Sequence, residues 1–265
     1  MPDPRTIAVD WSGAAVGAQR KIWLAEARSG ELLRVESGRD REQLGEHLVA
    51  EAVRDPALVV GLDFAFSLPA WFLRERGLRG APALWTLAAH EGERWLAECA
   101  APFWGRPGRR RGEAPEHFRT TEREVPIIGG IVPKSTFQIG GAGAVGTGSV
   151  RGMPLLRRLR AAGFSVWPFD APALPLVVEI YPRLLTGAVN KSSFACRVNF
   201  LRERYPHVDA RLGMQAVSSD DAFDAAVSAL VMSAHPRGFG RLRQARDPVT
   251  VLEGAIWRPE RHGPA

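Results

Sequence analysis

Short apolar runs that carry an acidic residue at or near their end recur along the chain. Residues 7–9 are Ile-Ala-Val and lead to Asp10, and residues 58–62 are Leu-Val-Val-Gly-Leu and lead to Asp63. A third run, residues 177–181, carries Glu179. Apolar runs of this length are typical of β-strands that are buried on both faces. If these strands are parallel neighbours, their acids reach the crevice at the carboxyl edge of the sheet, where α/β proteins bind ligands.

The first quarter of the chain predicts the element order β-β-β-α-β. Strands are expected at residues 6–10, 21–27 and 31–36, and the glycine-containing links between them favour antiparallel hairpins. Leu44 and Leu48 recur at helical spacing, which indicates a helix that begins near Asp40. The strand at residues 58–63 comes next. The helical crossover allows it to lie parallel beside the first strand.

The rest of the chain predicts further helices and strands around stretches that are rich in arginine, glycine and proline. These stretches lie between residues 101 and 152 and are expected to be mobile loops. We predict one α/β domain over residues 1–265, with a helical and loop insertion at about residues 68–152. Its sheet is expected to be mixed and five-stranded, with three antiparallel strands followed by parallel strands, and to be flanked by helices. Helices are expected at residues 70–79, 82–99, 153–162, 194–204 and 219–234, further strands at 164–169 and 176–181, and a last strand or docked segment at 249–257.

The composition argues against a membrane-spanning or secreted protein. No apolar run approaches the ~20 residues that a membrane-spanning helix needs. Residues 1–5 lack the positive-then-apolar pattern of a signal peptide, so a cytoplasmic location is expected. Cys99 and Cys196 lie far apart without metal-type spacing, which favours two buried free thiols.

The chain is strongly basic, with a formal net charge of +6 and a sequence pI of about 10.1. Only three of its 35 basic residues are lysines, Lys21, Lys134 and Lys191. The arginine bias reflects either genomic base composition or a use for bidentate phosphate contacts, and the sequence leaves both explanations open. A basic protein attracts polyanions, so the charge permits a nucleic-acid partner without demonstrating one.

A fourth acidic stretch opens the helix that is expected at residues 219–234. Asp221 and Asp224 are three residues apart, so they lie near one face of this helix. Asp224 falls at the margin of the apolar stripe. With Asp10 and Asp63 they offer an oxygen-only ligand set, which suits Mg²⁺ or Mn²⁺. Two such ions, about 4 Å apart, can stabilise the attacking and leaving oxygens of phosphodiester cleavage.

Each acid also has a purely structural interpretation. Asp10 and Asp63 suit strand-end turns in which backbone N–H groups hold the carboxylate. Glu179 suits an internal salt bridge to one of the many arginines. Asp221 suits the first turn of a helix, where acids interact favourably with the helix dipole. Asp224 is the hardest to explain in this way, because a partly buried carboxylate needs a partner or a metal ion.

Several basic and hydroxyl-bearing residues are candidates for contacts with substrate phosphates. They are Ser12, Lys134, Ser135, Arg109, Arg110 and Arg111. The arginine run could clamp a nucleic-acid backbone, but a run of like charges is usually solvated. Residues 141–146 match the dinucleotide-binding pattern G-x-G-x-x-G. A helix should open directly after the third glycine, whereas the next helix is expected at residue 153, and this disfavours a dinucleotide site.

Four motifs together resemble one known protein family. They are Val-Asp-Trp-Ser-Gly at residues 9–13, Gly-Leu-Asp-Phe-Ala-Phe-Ser-Leu-Pro at 61–69, Val-Glu-Ile-Tyr-Pro at 178–182 and Asp-Asp-Ala-Phe-Asp-Ala at 220–225. As a set they resemble the domain of unknown function 429 family, a bacterial and archaeal family of predicted nucleases with an RNase H-like fold. The resemblance covers residues 6–234, almost the whole chain.

The resemblance implies a site and an activity. In RNase H-like nucleases the first-strand acid bridges two metal ions, a role that would fall to Asp10. The fourth-strand acid would be Asp63, and the acid on the last helix would be Asp224, with Asp221 as a second. Glu179 matches an acid of the family that lies outside the usual nuclease set; it is counted among the expected catalytic acids, and both a metal role and an internal salt bridge are open to it. The expected function is metal-dependent hydrolysis of phosphodiester bonds in DNA or RNA with two Mg²⁺ or Mn²⁺ ions. The alternative is a non-catalytic protein that binds nucleic acid or a nucleotide on the same fold.

Overall fold

A mixed β-sheet forms the centre of the protein, which a computed structural model describes over residues 3–259. The strands are β1 (Arg5–Asp10), β2 (Trp23–Arg28), β3 (Glu31–Ser37), β4 (Leu58–Leu62), β5 (Ser165–Val166) and β6 (Leu176–Glu179). Across the sheet their order is β3-β2-β1-β4-β6-β5. The first three strands pair antiparallel, whereas β4, β6 and β5 run parallel to β1. The predicted α/β class and mixed sheet are confirmed.

Helices cover both faces of this sheet. They are α1 (Arg41–Arg54), α2 (Ala70–Glu75), α3 (Ala81–Glu98), α4 (Thr120–Arg123), α5 (Gly146–Ala161), α6 (Pro182–Thr186), α7 (Phe194–Arg204), α8 (Ala210–Ala216), α9 (Asp220–Ser233), α10 (Pro236–Arg241) and α11 (Thr250–Glu253). A 3-10 turn at Ala18–Arg20 lies between β1 and β2. The apolar spacing predicted the long helices α1, α3, α7 and α9. The short helices α4, α6, α8, α10 and α11 have too few residues to show a helical period.

Side-chain alternation along β1 divides the apolar core into two layers. Ile7 and Val9 belong to the layer that also contains side chains of α1, α3 and α5, whereas Ala8 belongs to the layer of α9. This is the two-residue period of a strand buried on both faces. Helix α9 packs closely on β4, since a Cβ atom added to Gly61 would lie 2.6 Å from the sulfur of Met232. The position of each residue along the strand, odd or even, therefore decides which face of the sheet its side chain joins.

The sheet has six strands, whereas a five-stranded sheet was expected. The edge strand, β5, comes from a segment predicted as a strand over residues 164–169 and pairs with β6 alone. It contains only Ser165 and Val166. The N–H of Trp167 still donates to the carbonyl oxygen of Val177 at 2.9 Å, but the N–H groups of Phe169 and Asp170 turn back to the carbonyl oxygen of Val166, so the strand ends there.

Helix α5 begins at Gly146, seven residues before the expected start, and continues through Pro154. The first turns of this helix were not predicted because they contain several glycines, and glycine is a poor helix former. Packing explains one of them: a Cβ atom added to Gly152 would lie 2.5 Å from the ring of Phe64. The third glycine of the G-x-G-x-x-G pattern therefore does open a helix. No strand precedes it within the described chain between β4 and Gly146, so the dinucleotide-binding context is still absent.

The chain ends in a docked segment rather than a strand. Residues 249–257 contain α11 and an isolated bridge in which Ile256 pairs with Glu179. Within residues 3–259 no helix is both long and apolar enough to cross a membrane.

Candidate active site

Strands β1 and β4 place Asp10 and Asp63 side by side. Val9 is paired with Leu62 in the parallel ladder, and the N–H of Asp63 donates to the carbonyl oxygen of Val9 at 3.1 Å. Val9 and Leu62, which precede the two acids, face the layer of α1, α3 and α5. Because successive side chains of a strand point to opposite faces, the carboxylates of Asp10 and Asp63 project towards α9. Both are partly buried. Two acids 53 positions apart in sequence thus share one edge and one face of the sheet.

Helix α9 brings two more acids to this edge. Its N-cap is Ser219, whose hydroxyl accepts a hydrogen bond from the N–H of Ala222 at 3.0 Å. Asp221 lies in the first turn and is partly exposed, while Asp224 is 6% exposed. The helix is tied to β1, because the Thr6 hydroxyl lies 3.0 Å from the carbonyl oxygen of Ala229. The cap and this contact fix the acidic end of α9 over the end of β1.

Burial and neighbouring negative charges raise the pKa values of the four carboxylates. Burial raises the pKa of Asp10 well above its usual range, and the charges of Asp63, Asp224 and Asp221 raise it further. Burial and then the charge of Asp224 raise the pKa of Asp63 to about 8. Burial also raises the pKa of Asp224, to about 6. Asp10, Asp63 and Asp224 therefore lie near other acids in a weakly polarisable setting.

One cation lies among these acids. The ammonium of Lys191, from the link between α6 and α7, donates to Oδ2 of Asp224. Its charge lowers the pKa of Asp10, Asp63 and Asp224, partly offsetting the effect of burial. The other oxygen of Asp224, Oδ1, is buried and has no hydrogen-bond partner in the described chain. Lys191 therefore forms an ion pair with one of the four acids, while Arg183 and Lys21 act on Asp224 and Asp221 through their charges.

The acids are not arranged as a finished metal site. Among residues 3–259 no group of three or more His, Cys, Asp or Glu side chains is placed so that it could hold a metal ion as it stands. Like charges repel, which opposes the closure of four carboxylates on a common point. Lys191 occupies Oδ2 of Asp224, whereas Oδ1 has no partner in the described chain.

Glu179 lies on the opposite face of the sheet from the four aspartates. In the ladder it is paired with Leu62, which belongs to the layer of α1, α3 and α5. There the guanidinium of Arg119 donates to both its carboxylate oxygens, and the N–H of Phe66 donates to Oε2 at 2.9 Å. Of the two interpretations that the sequence left open for Glu179, the geometry is that of the internal salt bridge. Its contact with Phe66 fixes the backbone that follows Asp63.

The expected substrate-contact residues lie in three different settings. Ser12 and Lys134 line a cavity next to Asp63. Ser135 is 2% exposed, and its hydroxyl donates to the carbonyl oxygen of His117 at 2.7 Å, which is a structural role. The arginine run consists of Arg109, Arg110 and Arg111. These residues are exposed in the loop before α4 and do not line this cavity.

The sequence pointed to Lys134 as a substrate contact but gave no role to Lys21 or Lys191. All three lie at this site: Lys191 on Asp224, and Lys21 and Lys134 along the cavity. Almost all other basic residues of the chain are arginines. At this site the chain has lysines, whose ammonium is a compact charge, whereas the guanidinium of arginine is planar and donates several hydrogen bonds. The rarity of lysine was therefore a signal, and it could have been found in the composition.

The raised pKa of Asp63 gives a prediction for stability. An acid whose folded-state pKa is raised contributes stability that is complete below its unfolded-state pKa, near 4, and is lost as pH rises through about 8. In EDTA at pH 8 we expect Asp63→Asn to raise the thermal unfolding midpoint by about 5 °C. At pH 4 the midpoints should coincide. Scanning calorimetry at both pH values measures this.

The matched control for this prediction is Asp220→Asn, which removes one exposed charge from the first turn of α9. It should leave the midpoint within about 1 °C at either pH, because surface substitutions have small effects. A midpoint for Asp63→Asn that falls below the parent at pH 8 would mean that the carboxylate is stabilised by its neighbours. The electrostatic account of this site would then be wrong.

Comparisons of the chain with protein-family models, with curated proteins and with solved structures found no match. Any assignment of function therefore depends on the geometry of these acids and of the cavity beside them.

Proposed function

We propose that the protein is a divalent-metal-dependent phosphodiesterase that hydrolyses DNA or RNA on an RNase H-like fold, as the motifs shared with the domain of unknown function 429 family suggest. The observation that carries the proposal is the approach of three acids from separate elements: Asp10 from β1, Asp63 from the end of β4 and Asp224 from α9. Packing alone gives no reason to crowd buried carboxylates, because each costs free energy in a weakly polar setting. A function that needs negative charge explains the crowding.

The donor chemistry fits Mg²⁺ or Mn²⁺. The four aspartates supply only oxygen ligands, which hard divalent cations prefer. Their negative charge exceeds what Lys191 neutralises, and Oδ1 of Asp224 is buried without a partner. We propose that Asp10, Asp63 and Asp224 hold the ions, with Asp221 as a further ligand at the exposed side. Glu179 is left out of this set because Arg119 already occupies both its oxygens.

The surrounding residues explain how an anionic substrate could approach an acidic site. Two bound ions would neutralise charge on the phosphodiester and promote deprotonation of the attacking water. Lys21 and Lys134 line the neighbouring cavity and provide positive charge next to the acids. The net charge of +6 attracts a polyanion from a distance. An ion that displaces Lys191 from Asp224 would leave the lysine ammonium free to pair with a substrate phosphate.

One observation favours a second candidate, a protein that binds nucleic acid without cutting it. The contact between Lys191 and Asp224 neutralises one acid without any metal ion, as a purely structural ion pair would. This candidate predicts that binding is the same in Mg²⁺ and in EDTA. It also predicts no cleavage product under either condition.

A cleavage assay separates the two candidates. Purified protein is incubated with end-labelled single strands, duplexes and branched junctions of DNA and of RNA, each in Mg²⁺, Mn²⁺, Ca²⁺ or EDTA. We expect cleavage of at least one substrate in Mg²⁺ or Mn²⁺ and none in EDTA. Calorimetric titration with Mn²⁺ measures ion binding independently of cleavage, and Asp224→Asn should weaken it at least tenfold. Unchanged binding of Mn²⁺ to this variant, with no cleavage of any substrate, would rule the nuclease proposal out.

A further inference from the structure

A cavity of about 340 Å³ opens next to Asp63. Its walls come from the turn after β1, from the segment that leads into α5, and from the ends of β4 and β6. A Cβ atom added to Gly13 would lie 2.5 Å from the backbone nitrogen of Gly148, so the turn after β1 is packed directly against the start of α5. The volume lies near the lower end of the range of about 300–1,000 Å³ for small-ligand pockets.

One side of this cavity is aromatic. The rings of Trp11 and Phe64 line it, with their centroids 4.9 Å apart. The indole N–H of Trp11 donates to the carbonyl oxygen of Gly148 at 2.9 Å, which fixes the ring plane. Tyr181 lines the cavity as well and is partly exposed. Fixed aromatic rings in a cavity are suited to a flat, weakly polar group such as a nucleobase, which stacks on them.

Other residues of the cavity wall, next to these rings, are suited to an anion. Thr136 lines the cavity and is 1% exposed, yet its hydroxyl has no hydrogen-bond partner in the described chain. Within residues 3–259 the backbone N–H groups of Thr147 and Gly148, in the first turn of the 16-residue helix α5, donate to no acceptor. Both residues line the same cavity. A helix N-terminus and an unpaired buried hydroxyl together form donors for a phosphate.

The charged groups around the cavity also favour binding of an anion. Lys21 and Lys134 line it, and neither forms a salt bridge with a residue of the described chain. Arg119, Glu122 and Glu179 also line it, but the arginine is bonded to both glutamates, so this trio is internally paired. Asp63 is left as the carboxylate that joins the cavity to the acid cluster. The cavity thus offers the ammonium groups of Lys21 and Lys134 to an anion, and Asp63 is also among its lining residues.

We propose that this cavity binds one nucleotide unit at the end of a nucleic-acid strand, with the base against Trp11 and Phe64 and the phosphate at Thr136 and the start of α5. The proposal rests on the proposed phosphodiesterase function and names its substrate: a strand end, from which the bond next to Asp63 is cut. The cavity has room for about one nucleotide. An intact duplex cannot enter it without unpairing its terminal base.

The first test measures binding and needs no cleavage. Adenosine 5′-monophosphate is titrated into the protein in Mg²⁺ and in EDTA, and adenosine serves as the probe without a phosphate. We expect saturable binding of one nucleotide per chain. Thr136→Val and Lys134→Ala should each weaken binding of the nucleotide about tenfold and leave binding of adenosine unchanged. The control is Arg110→Ala, which removes an exposed positive charge that does not line this cavity.

The second test separates strand ends from internal bonds. A linear single strand and its circular form of the same sequence are incubated with the protein in Mn²⁺. We expect products of the linear strand to shorten one nucleotide at a time and the circle to persist at least a hundredfold longer. If the circle is cut as fast as the linear strand, the proposal is wrong although the phosphodiesterase function stands.

The two proposals therefore fail in different ways. If adenosine monophosphate does not bind in either condition, or if both cavity variants bind it like the parent, the nucleotide cavity is refuted whatever the cleavage assay shows. If the nucleotide binds as described but no strand is cut, the cavity is retained and the phosphodiesterase function is lost. Lys134→Ala guards against misfolding of the buried variant, because Lys134 is exposed.

Discussion

Replacing Asp10 by Asn is expected to reduce cleavage by roughly 10³-fold or more, because acids that hold catalytic ions contribute several kcal/mol to transition-state stabilisation. Asparagine has the same shape but no charge. The charges of Asp63, Asp224 and Asp221 all raise the pKa of Asp10, whereas Asp221 is partly exposed in the first turn of α9. Loss of its charge should therefore weaken ion binding more than loss of Asp221 at the rim. Initial rates in Mg²⁺ and Mn²⁺ measure the effect.

The control for this prediction must separate lost chemistry from lost structure. Asp220→Asn removes an exposed carboxylate from the first turn of α9, the end of the helix that also carries Asp221 and Asp224. This variant should keep the parent rate within about twofold. Asp10→Asn itself should unfold no earlier than the parent in EDTA, since burial and like charges raise the pKa of Asp10 and disfavour its ionised form. Cleavage that persists in Asp10→Asn at the parent rate would place the chemistry elsewhere or expose a contaminating nuclease.

The sequence predicted well those parts of the fold that depend on the spacing of apolar residues within a short stretch of chain. The antiparallel start, the crossover helix α1 and the parallel pairing of β1 with β4 follow from apolar runs and turn residues that lie close together in the chain. The position of Asp10 and Asp63 follows from the same source. Each ends a fully buried run, so the ladder alone brings them to one edge of the sheet.

Other features depend on contacts between distant parts of the chain, and no local pattern encodes them. The face that Glu179 occupies depends on its register with Leu62, and its partner Arg119 lies 60 positions away. The early start of α5 depends on close packing against Phe64, which favours glycine although glycine opposes helix formation. Lys191 comes from a link without regular structure. In each case tertiary contacts outweigh the preference that the local sequence expresses.

Replacing Arg119 by Leu is expected to destabilise the protein by about 3–5 kcal/mol, because it leaves two buried carboxylates without their partner. Arg119 is fully buried, and its Nε donates to Glu122 at 2.7 Å while Nη1 donates to Glu179 at 2.9 Å. Burial alone would lower its pKa, but the two glutamates outweigh this and raise it. Nη1 also donates to the carbonyl oxygen of Glu253 at 2.9 Å, so one guanidinium ties α4, β6 and the end of α11 together.

The measurement is urea unfolding at neutral pH, and the thermal midpoint should fall by roughly 10 °C. The control is Arg123→Leu, which breaks an exposed ion pair with Glu116 and should cost less than about 1 kcal/mol. Adding Glu122→Gln and Glu179→Gln to Arg119→Leu should restore part of the loss, since neutral amides are less costly to bury than unpaired carboxylates. Because Glu179 accepts the N–H of Phe66 next to the Asp63 turn, the single variant should also weaken binding of Mn²⁺. Equal unfolding free energies for the Arg119 and Arg123 variants would show that this buried arginine is not what holds the far face of the site in place.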